Sequence, residues 1–293
     1  MALLAASTFA AAPRALARLI YFSLHGEWTN SFAVSLSGGS AFGLDAATGV
    51  MAWLEEHDIG YRVTPDVIVP IVSSAIIYDL GLVTSKVRPG PLQGRAACDA
   101  ALQTPLQEGT IGAGTGATVA KTGGTHRACK GGLGTASIQL PGGATVGAVV
   151  VVNSIGGIRD PFTGQLVAGP RRQDGSFDDP VGILLEGPPP PMPTGPVNTT
   201  IGVVATDARL TREEANYMAR VSHNGLSMTI HPCHTIRDGD TMFAMATGEF
   251  QDEVDLTTLG AAAAVVSARA ILRAVRLATG LGGIPAVSEI SVG

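Results

Sequence analysis

The hydrophobic positions along this chain alternate between strand-like and helix-like spacing, which predicts strands interleaved with helices. Apolar residues alternate at the start of residues 30–55, and the pattern becomes helical from about Ala41, after a Gly-Gly pair. Residues 67–75, 136–140 and 145–152 are apolar runs, and the last of these consists mainly of Val and Ala. Such runs are typical of strands in a sheet that is covered on both faces.

The last third of the chain continues this interleaving. Residues 201–205 predict a strand, and Thr211 begins a helix with a capping box completed by Glu214. The pair Asn224-Gly225 is a typical end for that helix. The further elements predicted in this part are strands over residues 227–230 and 241–246 and a helix over residues 258–279.

The segment between these two regions has the composition of a linker. Residues 157–197 are punctuated by Gly and Pro, most densely at residues 188–191, which are all proline. Compact domains seldom hold so long an irregular segment without a functional reason. We therefore expect a flexible connection here that serves the function of the protein.

The amino-acid composition indicates which kinds of binding partner to expect. The 293 residues are 45% hydrophobic, which is enough to bury a sizeable core. A net charge of -5 with 19 Lys and Arg offers no basic surface for nucleic acid, and no basic run indicates a membrane surface. Because only 15% of the residues are charged, we expect part of the surface to be covered in a homo-oligomer.

The cysteines and the N-terminal residues favour a cytoplasmic protein. Three widely spaced cysteines cannot form a closed set of disulfides, which fits a reducing compartment. Residues 2–12 are apolar like the core of a signal peptide, but no basic residues precede them, so we expect none. His231, Cys233 and His234 are residues of metal-binding types without a second cluster, and neither a metal nor a cofactor is expected.

The junction between Asn198 and Thr199 joins the proline-rich segment to a predicted buried strand. Hydrolases that cut their own chain need this arrangement, because one side must move away while the new terminal residue stays fixed. A terminal Thr then supplies its hydroxyl as the nucleophile and its α-amine as the base. The same residues also fit an ordinary strand start or an N-x-T glycosylation site.

A glycine-rich segment ends at Lys121. Gly112, Gly114 and Gly116 approach a phosphate-binding pattern, but Ala120 stands where that pattern requires glycine. The segment therefore has three interpretations: a nucleotide site, a loop that brings one buried Lys to a reacting amide, or a solvated surface Lys.

Polar residues also stand at the ends of predicted strands. Asn153 and Tyr78 each follow an apolar strand, and each is either a turn residue or a hydrogen-bond donor to an oxyanion. Asp238 and Asp240 flank Gly239 between two apolar runs. That pattern fits a hairpin turn, or a carboxylate pair that orients a hydroxyl or ammonium group.

Five of these segments, in this order, resemble the P1 family of peptidases, which is peptidase family S58. They are GTIGAGTGATVAK (109–121), KGGLGTAS (130–137), VGAVVVVNSIG (146–156), NTTIGVVATDARLT (198–211) and HTIRDGDTMFAMATGE (234–249). The resemblance extends from about Asn30 to near the C-terminus. The family comprises self-processing amidases and aminopeptidases, among them β-aminopeptidases and nylon-oligomer hydrolases.

This resemblance implies an α+β protein with a four-layer αββα sandwich, cut into residues 1–198 and 199–293 that stay one folded unit. It implies Thr199 as the nucleophile and Asn198 as the residue before the cut. As in the nylon-hydrolase branch, it places Lys121, Asn153 and Tyr78 around the reacting amide and makes Asp238 and Asp240 a carboxylate pair. The substrates implied are small amides or peptides.

Three alternatives accompany this hypothesis. Residues 1–29 do not resemble the N-terminal strand pair of the family, which would fit a truncated and inactive paralogue. An acyltransferase on the same fold would resolve the acyl-enzyme with an amine instead of water. A glycine-rich nucleotide-binding module at residues 112–122 would bind ATP or GTP.

Overall fold

Strands and helices are interleaved along the chain in the computed structural model, which describes residues 4–9, 31–101, 106–187 and 197–291. The strands are β1 (Leu4–Phe9), β2 (Ala33–Ser37), β3 (Tyr61–Thr64), β4 (Val67–Val69), β5 (Val72–Ile76), β6 (Thr118–Val119), β7 (Cys129–Lys130), β8 (Gly132–Gln139), β9 (Thr145–Asn153), β10 (Gly157–Arg159), β11 (Leu166–Ala168), β12 (Thr199–Ala208), β13 (Ile230–His231) and β14 (Thr241–Phe250). The α-helices are α1 (Ala46–Glu56), α2 (Pro91–Ala101), α3 (Pro180–Glu186), α4 (Arg212–Thr229) and α5 (Leu256–Arg276).

The valine-rich run forms β9, inside the largest sheet of the described residues. The strand order of this sheet is β1-β14-β12-β9-β8, with β12 parallel to β14 and the other neighbours antiparallel. Val150 and Val152 belong to the core shared with the helices, and Val151 belongs to a second core on the opposite face. Burial on both faces explains why this strand is apolar at successive positions.

Helices α4 and α5 cover one face of this sheet and pack against each other. A Cβ atom on Gly225 of α4 would lie 2.4 Å from the carbonyl oxygen of Ala264 in α5, so glycine permits this close approach. The predicted helix end at Asn224-Gly225 and the strand predicted over residues 227–230 are therefore wrong. The helix continues to Thr229, because Gly225 serves helix packing there and not chain reversal.

The opposite face of the sheet is covered by the parallel pair of β2 and β5. Ile77, Ile201 and Phe243 are fully buried in the core between the two sheets. A third core, which contains Val50 and Trp53 of α1, lies on the far side of β2 and β5. The layers are thus helices, sheet, sheet and helices, and the predicted four-layer αββα sandwich of the α+β class is confirmed.

Two predicted segments differ from the structure. Residues 67–75 do not form one strand, since Pro70 separates β4, which pairs with β3, from β5. Residues 157–187 of the predicted linker contain β10, β11 and α3, and their Gly and Pro residues mark turns between short elements. Residues 188–196, the proline-rich part, lie outside the described residues.

Among the described helices, α5 is long and apolar enough to cross a membrane by length and composition. However, 72% of its most apolar 18-residue window is buried inside the protein. Leu259, Val266 and Ile271 of this helix have no exposed surface. Its apolar character is therefore that of a core helix.

Candidate active site

Thr199 is the first residue of β12 and lies opposite Asn153 of β9 in the main sheet. Only 7% of Thr199 is exposed. Its hydroxyl donates a hydrogen bond to the carbonyl oxygen of Asn198 at 2.5 Å. The predicted nucleophile therefore touches the peptide group that a self-cut would break.

The backbone N–H of Gly239 donates to the same carbonyl oxygen of Asn198, at 2.9 Å. Asn198 also forms a parallel bridge with Asp238, which brings the loop before β14 alongside the bond between Asn198 and Thr199. A preorganised N–H at a carbonyl under attack is the arrangement that stabilises a developing oxyanion. Sequence reasoning considered Gly239 only as a turn residue and missed this contact, since no pattern of residues encodes where a backbone N–H points.

The two carboxylates beside Gly239 are buried, with 1% of Asp238 and 2% of Asp240 exposed. Asp240 Oδ1 accepts the backbone N–H of Thr200 at 2.7 Å. Asp238 Oδ2 accepts the backbone N–H and the hydroxyl of Thr235 at 3.0 and 2.6 Å. Burial, and then the neighbouring charge of Asp240, raise the pKa of Asp238. The hairpin-turn alternative does not hold, because β13 and β14 belong to different sheets.

Lys121 is 5% exposed, and its ammonium group donates to the side-chain oxygen of Asn153 at 2.9 Å and to its carbonyl oxygen at 3.3 Å. Burial lowers the pKa of Lys121 to about 7, against an opposing effect of Asp238. Of the three interpretations of the glycine-rich segment, the solvated surface Lys does not hold, because the side chain is buried and contacts Asn153.

The amide nitrogen of Asn153 donates to the backbone carbonyl of Tyr78 at 3.0 Å. The sequence predicts Asn153 as an oxyanion donor, and that role stays a prediction, but in this structure its amide nitrogen faces Tyr78 instead of the Asn198 carbonyl. Lys121 accounts for the difference, because its ammonium group takes the oxygen side of the amide and leaves the nitrogen for Tyr78. Gly239 is the donor that contacts the Asn198 carbonyl instead.

Tyr78 lines a cavity of about 400 Å³ together with Thr118, Lys121, His126, Val197 and Asn198. Tyr78 follows β5 by two residues and is 37% exposed. This cavity opens on the residue before the proposed cut. A larger cavity of about 740 Å³ lies beside α5 and contains none of the predicted site residues.

Two charged residues fix the glycine-rich wall of the 400 Å³ cavity. Lys130 is fully buried and donates to the carbonyl oxygens of Thr115 and Ala117 at 3.0 and 2.6 Å, which is a structural role. Asp79 accepts the backbone N–H of Gly39 at 2.7 Å. A Cβ atom on Gly116 would lie 2.5 Å from Asp79 Oδ2, so glycine makes room for this carboxylate. Sequence reasoning missed Asp79 because it follows Tyr78 without a motif of its own.

Comparison with known proteins identifies the family. The sequence model of peptidase family S58 matches residues 24–287. A Mycobacterium leprae protein that carries the name uncharacterized aminopeptidase is 43% identical over 278 residues, which are 86% of this chain and 74% of that protein. A 6-aminohexanoate-oligomer endohydrolase of Kocuria sp. is 35% identical over 239 residues, which are 80% of this chain and 64% of that enzyme.

A solved structure agrees at the level of the fold. The L-aminopeptidase D-Ala-esterase/amidase of Ochrobactrum anthropi is described as a variant of the Ntn hydrolase fold, the fold of N-terminal-nucleophile enzymes. It superposes with a TM-score of 0.55 and 23% identity, over 82% of this chain and 64% of that one. On the match to the family and to its relatives, this chain belongs to peptidase family S58 and is a hydrolase that acts on amide bonds.

Proposed function

We propose that this S58 hydrolase is made as a precursor, cuts its own chain between Asn198 and Thr199, and then hydrolyses small amides or peptides with Thr199. The observation that supports this most is the contact of 2.5 Å between the Thr199 hydroxyl and the Asn198 carbonyl oxygen. The Gly239 N–H converges on the same oxygen, where negative charge would develop.

The self-cut begins when the Thr199 hydroxyl oxygen attacks the carbonyl carbon of Asn198. Its proton passes to Lys121, which contacts the strand partner of Thr199 and, with a pKa lowered to about 7, is partly unprotonated at neutral pH. The C–N bond then breaks, and the Thr199 nitrogen takes the proton back from Lys121 and becomes the free α-amine. Asn198 is left as an ester on the Thr199 oxygen. Water hydrolyses the ester, which releases the Asn198 carboxylate and restores the Thr199 hydroxyl.

In the processed enzyme, the Thr199 hydroxyl attacks a substrate amide while the free α-amine accepts its proton. The substrate amine departs, and water resolves the acyl-enzyme. Gly239 is the first donor to the substrate oxyanion in this scheme. Asn153 and the Tyr78 hydroxyl are further donors, Asn153 once its amide leaves the Tyr78 carbonyl.

The cavity beside Asn198 favours small substrates, since about 400 Å³ is at the lower end of the range for ligand pockets. Peptides, β-peptides and nylon-like amides all contain an amide bond of the kind that Thr199 would attack. The processed units would work in the cytoplasm as a homo-oligomer, where the free cysteines Cys98, Cys129 and Cys233 stay reduced.

Replacement of Thr199 tests the proposal. Thr199→Ala removes the hydroxyl, so the chain should stay whole on a denaturing gel and hydrolyse no amide. Thr199→Ser keeps a hydroxyl at the same place and should retain part of both activities. Cutting at the junction in the Ala variant would mean that another group is the nucleophile, and amide hydrolysis by an uncut chain would refute the mechanism.

A further inference from the structure

His234 and Asp240 form an ion pair next to the nucleophile strand. His234 Nδ1 lies 2.8 Å from Asp240 Oδ2, and the backbone N–H of His234 donates to the same oxygen at 3.2 Å. The other oxygen of Asp240 accepts the Thr200 N–H. One buried carboxylate thus links His234 to the residue that directly follows Thr199.

The same pair closes the loop that covers the scissile bond. His234 and Asp240 stand at the two ends of this loop, and Gly239, whose N–H contacts the Asn198 carbonyl, lies between them. Thr235 holds Asp238 inside the loop through two hydrogen bonds. The placement of the Gly239 N–H therefore depends on the contact between the loop ends.

The charges around His234 keep this contact ionic. Hydrogen bonding to Asp240, and then to Cys233, raises the pKa of His234 to about 10 despite its partial burial. The other titratable groups that face His234 are Cys233 and His223 of α4, whose ring centroid lies 5.0 Å away. His234 is connected to the strand of Thr199 through Asp240, which accepts from Thr200.

We propose that His234 is a positioning residue for the cut: by holding Asp240, it fixes the Thr200 N–H on one side of Thr199 and the Gly239 N–H on the other. This inference rests on the proposed self-cleavage at Asn198-Thr199. From the sequence pattern, His234 was noted only as a residue of a type that binds metals.

Two substitutions of equal size separate positioning from simple space filling. The backbone of His234 has φ 53°, a region that Asn and Asp tolerate better than other side chains. His234→Asn keeps an N–H for Asp240, whereas His234→Asp places a like charge against it. His231→Asn is the matched control, because His231 lies close by in the chain and its ring contacts the Met228 carbonyl.

The rate of cutting is measured on newly made chains from cell-free translation, and melting temperatures are measured on the purified proteins. We expect His234→Asn and His231→Asn to be cut at nearly the normal rate. His234→Asp should be cut about tenfold more slowly or worse, because an ion pair is replaced by repulsion between two carboxylates. In processed enzyme the loss should fall on kcat and leave KM unchanged. Equal cutting of the Asn and Asp variants would overturn the inference.

A third variant covers the case in which His234→Asp does not fold. His234→Gly accepts the same backbone conformation and removes the ring, and added imidazole should then restore cutting. A folded Gly variant that imidazole does not rescue would also overturn the role of His234. A wild-type chain that stays whole would instead refute the self-cleavage itself, so the two failures are distinguishable.

Discussion

Gly239 faces Thr199 so closely that a methyl group on its Cα would lie 3.1 Å from the Thr199 hydroxyl oxygen and 3.6 Å from its methyl carbon. The first of these distances is tighter than most contacts of a Cβ atom. Glycine at this position thus lets the loop bring its N–H to the Asn198 carbonyl without displacing the nucleophile.

Gly239→Ala is therefore expected to slow the self-cut about tenfold or more, since small displacements of a reacting group cost large factors in rate. The N–H is kept, so the loss would come from the displaced hydroxyl. Gly142→Ala is the control, because a Cβ atom there meets open space. The rate of cutting in cell-free translation is the measurement. If the Gly239→Ala chain is cut as fast as the control, the added methyl group does not displace the Thr199 hydroxyl and this explanation is wrong.

The pH dependence of kcat/KM tests the base. The α-amine of a processed Thr199 has an ordinary pKa of about 7.7 to 8.0, and it must be unprotonated to act. Burial beside a cationic Lys121 lowers that pKa, so activity should fall as the pH drops through about 7. Lys121→Met should slow the cut, because Lys121 is its proposed base. In those Lys121→Met chains that have been cut, this acid limb should lie at higher pH, because the repulsion is removed. A limb near pH 4 that shifts when a carboxylate is replaced would identify an Asp as the base.

Asp238→Asn should stabilise the fold at neutral pH. The pKa of Asp238 is raised in the folded protein, so the folded state binds a proton more tightly than the unfolded state does. The charge therefore costs stability as the pH rises above the ordinary pKa of about 4. The neutral Asn still accepts from Thr235, and its melting temperature should exceed that of the wild type by a few degrees at pH 7. The difference should vanish below about pH 4; a lower melting temperature at pH 7 would contradict this account.

Asp240→Asn should have the opposite effect on stability. Both oxygens of Asp240 accept hydrogen bonds, from Thr200 and from His234, and the NH2 group of an Asn would oppose one of these donors. The sequence alone predicts lost rate with little change in melting temperature. The structure predicts loss of both, with cutting about tenfold slower or worse. Thermal unfolding of the two Asn variants side by side is the measurement, and an equal response of both would refute the distinction.

Local sequence signals predicted much of the fold. Thr211 and Glu214 form the capping box that the spacing indicates, and the valine-rich run is a strand buried on both faces. These sequence signals failed where one residue type, such as glycine, can either end a helix or allow two helices to pack closely. Gly225 resembles a helix end, but it lies within a helix because Ala264 approaches it, and that contact comes from a distant part of the chain.

For the candidate site, the sequence predicted which residues lie near one another better than it predicted the contacts between them. Lys121, Asn153 and Asn198 meet around Thr199, but the amide of Asn153 turns to Tyr78. The sequence has no signal for the Gly239 N–H or for the ion pair of His234 and Asp240. Both depend on how the loop before β14 folds over the main sheet.

The most direct test of the central claim is the intact mass of the freshly purified wild-type chain, together with N-terminal sequencing of its fragments. We expect two fragments that stay associated under native conditions and that meet at the bond between Asn198 and Thr199. The smaller fragment should begin with Thr199, Thr200 and Ile201. A single uncut chain that hydrolyses amides, or a cut at any other bond, would contradict the account.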